Sequence, residues 1–360
     1  DREEPTVEPR EAPIAEPREE RARRTVDRDI LRLAIPSLGA LVAEPLFVLA
    51  DSAFIARVST TSLAGLGLAS TVLTTVVGLA VFLAYSTTAA VARSFGAGRR
   101  REAISRGIDA CWLALLVGAA AALVLVVAGE PLLALFGPSP EVLAEATIYL
   151  RISALGLPAM LAVQAATGLV RGMQDATLPL VVAVGGAIVN IPLNALLIFG
   201  LDLGIAGSAI GTIIAQWGMA RVLRAVIVLR ARREGIGLGL QPANLVAVGR
   251  DAVPMFVRTL SLRVVVIAST VVATGLGDVQ LAAHQLTTTV FTVLSLALDS
   301  LAIAGQALTG RYLGASDPRT VHAVTRRLMV WGVGGGAVVA VLLLAASYVV
   351  PSLFTPDVAV

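Results

Sequence analysis

Two carboxylates in an otherwise apolar stretch, Glu44 and Asp51, are the groups in this sequence best placed to do chemistry. An acid at the centre of a bilayer costs roughly 2.5–3.5 kcal/mol on insertion scales, so one kept there needs a partner or a task. The seven-residue spacing is about two helical turns, which aims both side chains the same way on a helix. A carboxyl group withdrawn from water favours its neutral form, so such a site can take up and return a proton. Pro45, next to Glu44, removes a helix hydrogen bond at that level. With Pro36 and Pro192 it forms a set of candidate hinges at which a change of charge would reshape a helix. Plainer roles stand beside these: Asp51 as a helix-end residue snorkelling to the surface, Glu44 as a structural polar contact.

Other polar residues interrupt apolar runs in the same way. Asn190 and Asn194 lie one turn apart around Pro192, and amides on one face can bond a protonated carboxyl or hold a polar guest. Thr212 is a candidate third member, with helix–helix bonding as the alternative for all three. Arg258, Arg263 and Asp299 also sit within apolar stretches, where an arginine must face a cavity or a partner; Asp299 is the candidate counter-ion. Gln306 joins them as a candidate lining residue. His284 and Gln285 read better as capping or packing groups than as a proton relay.

The sequence has no phosphate-binding GxxxxGK[ST] loop, no HExxH pair and no nucleophile beside a base, so an enzyme or ATP-driven pump is not expected. Two histidines without neighbouring ligands point to no metal site and no cofactor. Cys111, the single cysteine, reads as a small buried apolar residue. An aromatic content of 4% speaks against a cage built on cation–π contacts.

The elements that must position these groups are transmembrane helices. The 360 residues are 56% apolar and 15% charged, with a mean hydropathy of +0.84; a soluble domain carries about 25% charged residues. The apolar residues fall into runs of about twenty, the length that crosses roughly 30 Å of hydrocarbon as a helix. Nine spans are expected, near 33–55, 63–92, 107–129, 143–170, 177–199, 204–230, 251–273, 281–310 and 322–350. The fold class is therefore all-α, a polytopic transmembrane bundle. Residues 1–29 alternate Glu, Pro and Arg and are expected to be a disordered tail.

There is no lysine, and the arginines cluster in the tail, in 93–106, in the short turn at Arg171, in 230–250 and in 311–327. The intervening loops hold Arg57 alone among basic residues. This alternation places the N-terminus and every second loop in the cytoplasm of a multi-pass plasma-membrane protein. The net charge of +3 thus reports topology, not a nucleic-acid partner.

A shift of 218 residues aligns the chain with itself. Arg32 meets Arg250, Pro36 meets Pro254, and Leu63-Ala64 meets Leu281-Ala282. Arg93, Gly96, Ala97 and Arg101 meet Arg311, Gly314, Ala315 and Arg319; Leu135, Phe136 and Pro138 meet Leu353, Phe354 and Pro356. Each unit holds an even number of spans, six, so the two are parallel six-helix repeats about an axis along the membrane normal. The expected units are an N-lobe over 30–235 and a partial C-lobe over 236–360, with about three further helices needed to complete the second repeat.

At these residues the chain resembles the multidrug and toxic compound extrusion (MATE) family, in particular its DNA-damage-inducible, DinF-like branch. The resemblance is carried by Leu33-Ala34-Ile35-Pro36, Glu44-Pro45-Leu46-Phe47-Val48-Leu49-Ala50-Asp51 and Arg171-Gly172-Met173-Gln174-Asp175. Asn190-Ile191-Pro192-Leu193-Asn194 with Ile198-Phe199-Gly200 follows, then Leu281-Ala282-Ala283-His284-Gln285. It implies two lobes that open alternately, with Asp51 matching a first-helix aspartate linked to proton coupling and Asn190 and Thr212 its polar partners. Asn194 stands where some members carry a second aspartate, which would leave the proton load on Asp51, with Glu44. The seventh span lacks the acid that sodium-coupled relatives use, so protons are expected over sodium.

The expected function is secondary transport: proton-coupled antiport, by a monomer in the bilayer, exporting small amphipathic organic compounds. A lipid-linked precursor flippase of the related superfamily is the alternative, which Arg258 and Arg263 would suit. A non-transporting scaffold or channel is the alternative from another class, against which the repeat and the buried acids speak.

Overall fold

The computed structural model describes residues 18–240 and 242–345, without the side chains of 18–23, 44, 242, 243, 278, 279, 281, 282, 286 and 343. The chain folds as α1 (Arg18–Ile55), α2 (Thr60–Leu79), α3 (Phe82–Gly96), α4 (Arg100–Ala134), α5 (Pro140–Ala154) and α6 (Leu157–Gly172). It continues as α7 (Thr177–Ala195), a π-helical turn (Leu196–Gly200), α8 (Gly204–Arg233), α9 (Pro242–Leu276), α10 (Asp278–Gly314) and α11 (Pro318–Ala345). There is no strand among the described residues. Among the described residues, eight helical stretches are long and apolar enough to cross a membrane, and nine if α5 and α6 count as one bent span. These nine coincide with the expected spans; 346–350, the end of the last one, lies outside the described residues.

Local chemistry sets the boundaries. Gly137 turns the chain at φ 67°, and Ser139 then caps α5 by accepting from the Val142 amide at 3.4 Å, with Pro140 in the first turn. Ser59 caps α2 through the Ser62 amide at 2.9 Å. The Arg171–Asp175 stretch is a tertiary staple. Gln174, at φ 67°, donates to the Ala307 carbonyl of α10 at 2.8 Å. Asp175 caps α7 through the Leu178 amide and pairs with Arg230 of α8 at 3.0 Å.

Four features differ from the sequence expectation. Helix replaces the disordered tail over 18–29, because Asp27 grips Arg327 of α11 with two bonds of 2.5 and 2.7 Å and Ile30 is fully buried; residues 1–17 lie outside the described residues. The second span breaks at Ala80–Val81 into α2 and α3. The fourth is bent by 49° between α5 and α6, where Pro158 withholds an amide in the first turn of α6. Arg171 is no turn residue: it lies in the last turn of α6 with 7% of its surface exposed.

The repeat is visible as matched contacts. α3 and α10 cross near the same end, Gly310 close against Ala92, its counterpart under the 218-residue shift. A methyl group at Gly96 would strike the Arg311 carbonyl, and one at Gly314 would strike the Arg93 carbonyl, which is the same contact seen from either repeat. Two polar ties flank the crossing. Asn244 of α9 donates to Asp109 of α4 at 3.0 Å, and the counterpart of Asp109 is Arg327, which holds Asp27 of α1. Ile30, Leu33, Ala304, Leu308 and Val324 form an apolar seam where α1 meets α10 and α11.

Candidate functional site

α1, α7 and α8 converge on Asp51. The C-terminal half of α1 turns a narrow face into the bundle: Asp51 is 3% exposed and Ile55 fully buried, whereas Leu46 and Leu49 are 59% and 65% exposed. On α7 the turn-to-turn spacing buries Asn190 and Asn194 completely while Ile188, Val189 and Ile191 face outward. The asparagines hold each other, Asn194 Nδ2 donating to Asn190 Oδ1 at 3.1 Å and Asn190 Nδ2 to Asn194 Oδ1 at 3.4 Å. Asn194 Nδ2 also donates to one oxygen of Asp51, and Thr212 Oγ1 of α8 donates to the other at 3.2 Å.

Close packing brings these groups together. A methyl group on Gly211 of α8 would collide with the Asn194 amide, so only glycine lets α8 approach α7 at that level. Pro192, between the asparagines and with no amide proton, and the π-helical turn that follows Ala195 loosen the backbone ladder within and just beyond this pair. One turn before Thr212, Ser208 is fully buried and points towards the same carboxyl with no hydrogen bond within 3.5 Å.

The Asp51 carboxyl opens onto a cavity of about 100 Å³ also lined by Phe47, Tyr149, Ser153 and Thr212. Phe47, Met160 and Gln216 separate it from a second cavity of about 220 Å³, which reaches Tyr85, Gln164 and the buried Arg171. Oε1 of Gln164, Oε1 of Gln216 and Nε of Arg171 are buried without a hydrogen-bond partner among the described residues, the Gln216 oxygen packed against Gly156. A larger opening, about 580 Å³, lies at the arginine-rich end between α3, α4 and α9, walled by Arg101, Arg106, Asp109 and Asp251, and does not include Asp51.

Of the residues singled out in the sequence, Asp51, Asn190, Asn194 and Thr212 form one hydrogen-bonded cluster. Arg258, Arg263, Asp299 and Gln306 stand apart from it. Arg258 and Asp299 influence each other, Tyr85 and, for Tyr85, Arg171, through their charges, with no ion pair within 4.0 Å among the described residues. Arg263 reaches across to Gly78 of α2. Gln306 is half-buried with Oε1 unpartnered. His284 meets the Thr270 hydroxyl at 3.3 Å. α1 runs unbroken through Pro36 and Pro45; the Glu44 side chain lies outside the described residues.

Sequence reasoning did not single out Tyr149, Ser153, Ser208, Gln164 or Gln216. The two glutamines offered a signal, an amide within an apolar run; the hydroxyl groups offered almost none, because a serine or threonine can bond its own helix and cost little.

Comparison with known proteins fits this architecture. The MatE family description matches residues 36–196 and again 254–360, starting at the two prolines that the internal repeat superimposes. DNA damage-inducible protein F of Escherichia coli (strain K12) is 32% identical over 81% of this chain and 64% of its own length. The probable multidrug resistance protein NorM of Pseudomonas putida is 31% identical over 86% of this chain and 68% of its own length. The chain thus spans about two thirds of each. The crystal structure of the Vibrio cholerae MATE transporter VcmN in the bent form matches with a TM-score of 0.85 at 23% identity, covering 94% of this chain and 78% of that one. With both halves matched and the bundle reproduced, the chain belongs to the MatE family of multi-pass membrane transporters, which handle small organic molecules and are not enzymes.

Proposed function

We propose that this protein is a proton-coupled antiporter that exports amphipathic organic compounds across the plasma membrane, with its arginine-rich face in the cytoplasm. One observation carries the proposal: Asp51 is buried within a membrane helix and held by an amide and a hydroxyl, with no basic side chain paired to it among the described residues. Its charge has no counter-ion, so binding a proton there is a large local electrostatic change. N–H and O–H donors occupy the carboxylate oxygens, which supports a proton over sodium, since a sodium ion would need those oxygens and several more.

The mechanism follows from that asymmetry. A proton arriving from the outer side neutralises Asp51 and weakens its charge-assisted bonds to Asn194 and Thr212. α1 is then free to repack around Phe47, which lines both cavities, and the guest leaves outward. Coupling requires that the proton and the substrate prefer different arrangements of the N-lobe (30–235) against the C-lobe that begins at 236. The name of one relative, a probable multidrug resistance protein, supports efflux of foreign compounds as the task.

The test is efflux of a fluorescent organic cation from liposomes under an imposed pH gradient. Asp51→Asn should abolish gradient-driven accumulation while leaving substrate counterflow without a gradient. Full gradient-driven transport by that variant would remove Asp51 from the mechanism. Arg171, which is buried, and Arg258 both act on Tyr85 through their charges, and this favours a second reading, a carrier of anionic lipid-linked precursors. Competition of an anionic prenyl phosphate against the cation in the counterflow assay separates the two.

A further inference from the structure

Arg221 and Arg224 lie one turn apart on the outer face of α8, in the half that leads to Arg230, Arg232 and Arg233. Both are exposed within a helix apolar enough to cross the membrane, and no hydrogen bond or ion pair joins either to another described residue. At 1.5 Å per residue they stand roughly 14–18 Å short of the end of the helix. An arginine at that level must snorkel to the interface or meet an anion, and two of them side by side at one groove suit an anion.

The two guanidinium groups border a groove of about 360 Å³ between α4, α6 and α8, within the size range of pockets that hold small organic molecules. Its wall is apolar, including Ile108, Leu115, Ala162 and Ala166, and carries no acidic side chain. A tryptophan marks each end. Trp112 Nε1 donates to the Leu238 carbonyl at 3.0 Å, in the connection that follows the arginine-rich end of α8. Trp217 Nε1 donates to the Leu155 carbonyl at 3.3 Å, at the bend between α5 and α6 in mid-span. The groove therefore runs from the arginine-rich surface towards the middle of the bilayer, with Ile227, Val228 and Leu238 nearest that surface, the two arginines part-way along and Trp217 deepest.

We propose that this groove binds an anionic phospholipid from the leaflet on the arginine-rich side, its phosphate on Arg221 and Arg224 and one acyl chain laid towards Trp217. Two guanidinium forks match phosphate oxygens, and basic pockets between membrane helices suit such head groups. A protein partner would need an acidic, apolar surface inside the bilayer; a lipid supplies both parts in one molecule and already surrounds this face. The site is separate from the Asp51 cluster and does not depend on how transport is coupled.

The test is native mass spectrometry of the protein released from nanodiscs of mixed phosphatidylglycerol and phosphatidylcholine. The wild type should retain phosphatidylglycerol over phosphatidylcholine. Arg221→Gln with Arg224→Gln should reduce that preference about thirtyfold, from about 1 kcal/mol per cationic contact. Ala162→Phe, which fills the groove and leaves both arginines, should also lose the lipid, so the proposal does not rest on the double variant alone. Thermal unfolding in phosphatidylcholine checks that the variants fold. Equal retention of the two lipids by the wild type, undiminished preference in folded variants, or displacement of the lipid by inorganic phosphate alone would overturn the proposal.

Discussion

At the residue scale the account turns on who holds Asp51. A carboxylate bound by neutral donors keeps its charge only while those donors stay aimed at it, and Asn194 is aimed by its neighbours. Gly211 leaves the space that Asn194 fills, so Gly211→Ala should cost roughly 1–3 kcal/mol by overpacking. In an Asn194→Ala background the added methyl has room, and its cost should shrink. Thermal unfolding of the four proteins measures this coupling; an equal cost in both backgrounds would contradict the packing described. Thr212→Val should lose roughly 1.5–3 kcal/mol, since it removes a hydrogen bond to a charged group. The sequence pointed to Asp51, Asn190, Asn194 and Thr212 because charge and amide groups are costly in an apolar helix. It misplaced Arg171, whose position beside a Gly-Met-Gln-Asp turn resembles a loop, since its burial depends on helices distant in sequence.

At the element scale, glycine positions separate close crossings from open faces. Gly96→Val and Gly314→Val should do similar damage, because each drives a side chain into the backbone carbonyl of the partner helix at repeat-related positions. Gly185→Ala on α7 meets nothing within 4 Å and should stabilise by about 0.5–1 kcal/mol through helix propensity. Detergent-solubilised unfolding midpoints check all three; a tolerated Gly96→Val would contradict the crossing.

The start of α11 offers a pH test. Asp317 accepts from the Thr320 hydroxyl at 2.5 Å and the Thr320 amide at 3.1 Å, which holds its carboxyl below the ordinary 3.8. A depressed value means that the cap stabilises fully above pH 3.8 and is lost as pH falls through the lowered value. A carbon-13 carboxyl titration with its midpoint at or above 3.8 would contradict it. The nine spans were legible because hydropathy and turn residues report them locally. The α2–α3 break and the helical start of α1 were not. The second rests on a contact between Asp27 and Arg327, which no local pattern encodes.

At the scale of the whole molecule, the repeat was legible in matched Arg, Pro and Gly, and it reappears as paired contacts at the seam. The ties Asp109–Asn244 and Asp27–Arg327 join the halves at the arginine-rich end. Asp27→Asn with Asn244→Ala should loosen that end, read as faster alkylation of a cysteine placed at the fully buried Ala304 in a Cys111→Ala background. Unchanged labelling would show that the ties do not close it. The central claim is that one buried acid exchanges its proton against substrate. Its most direct test is proton release on substrate binding, followed with a pH indicator in weakly buffered detergent solution. The wild type should release protons as substrate binds, and Asp51→Asn should bind substrate without releasing any; undiminished release from Asp51→Asn would contradict the account.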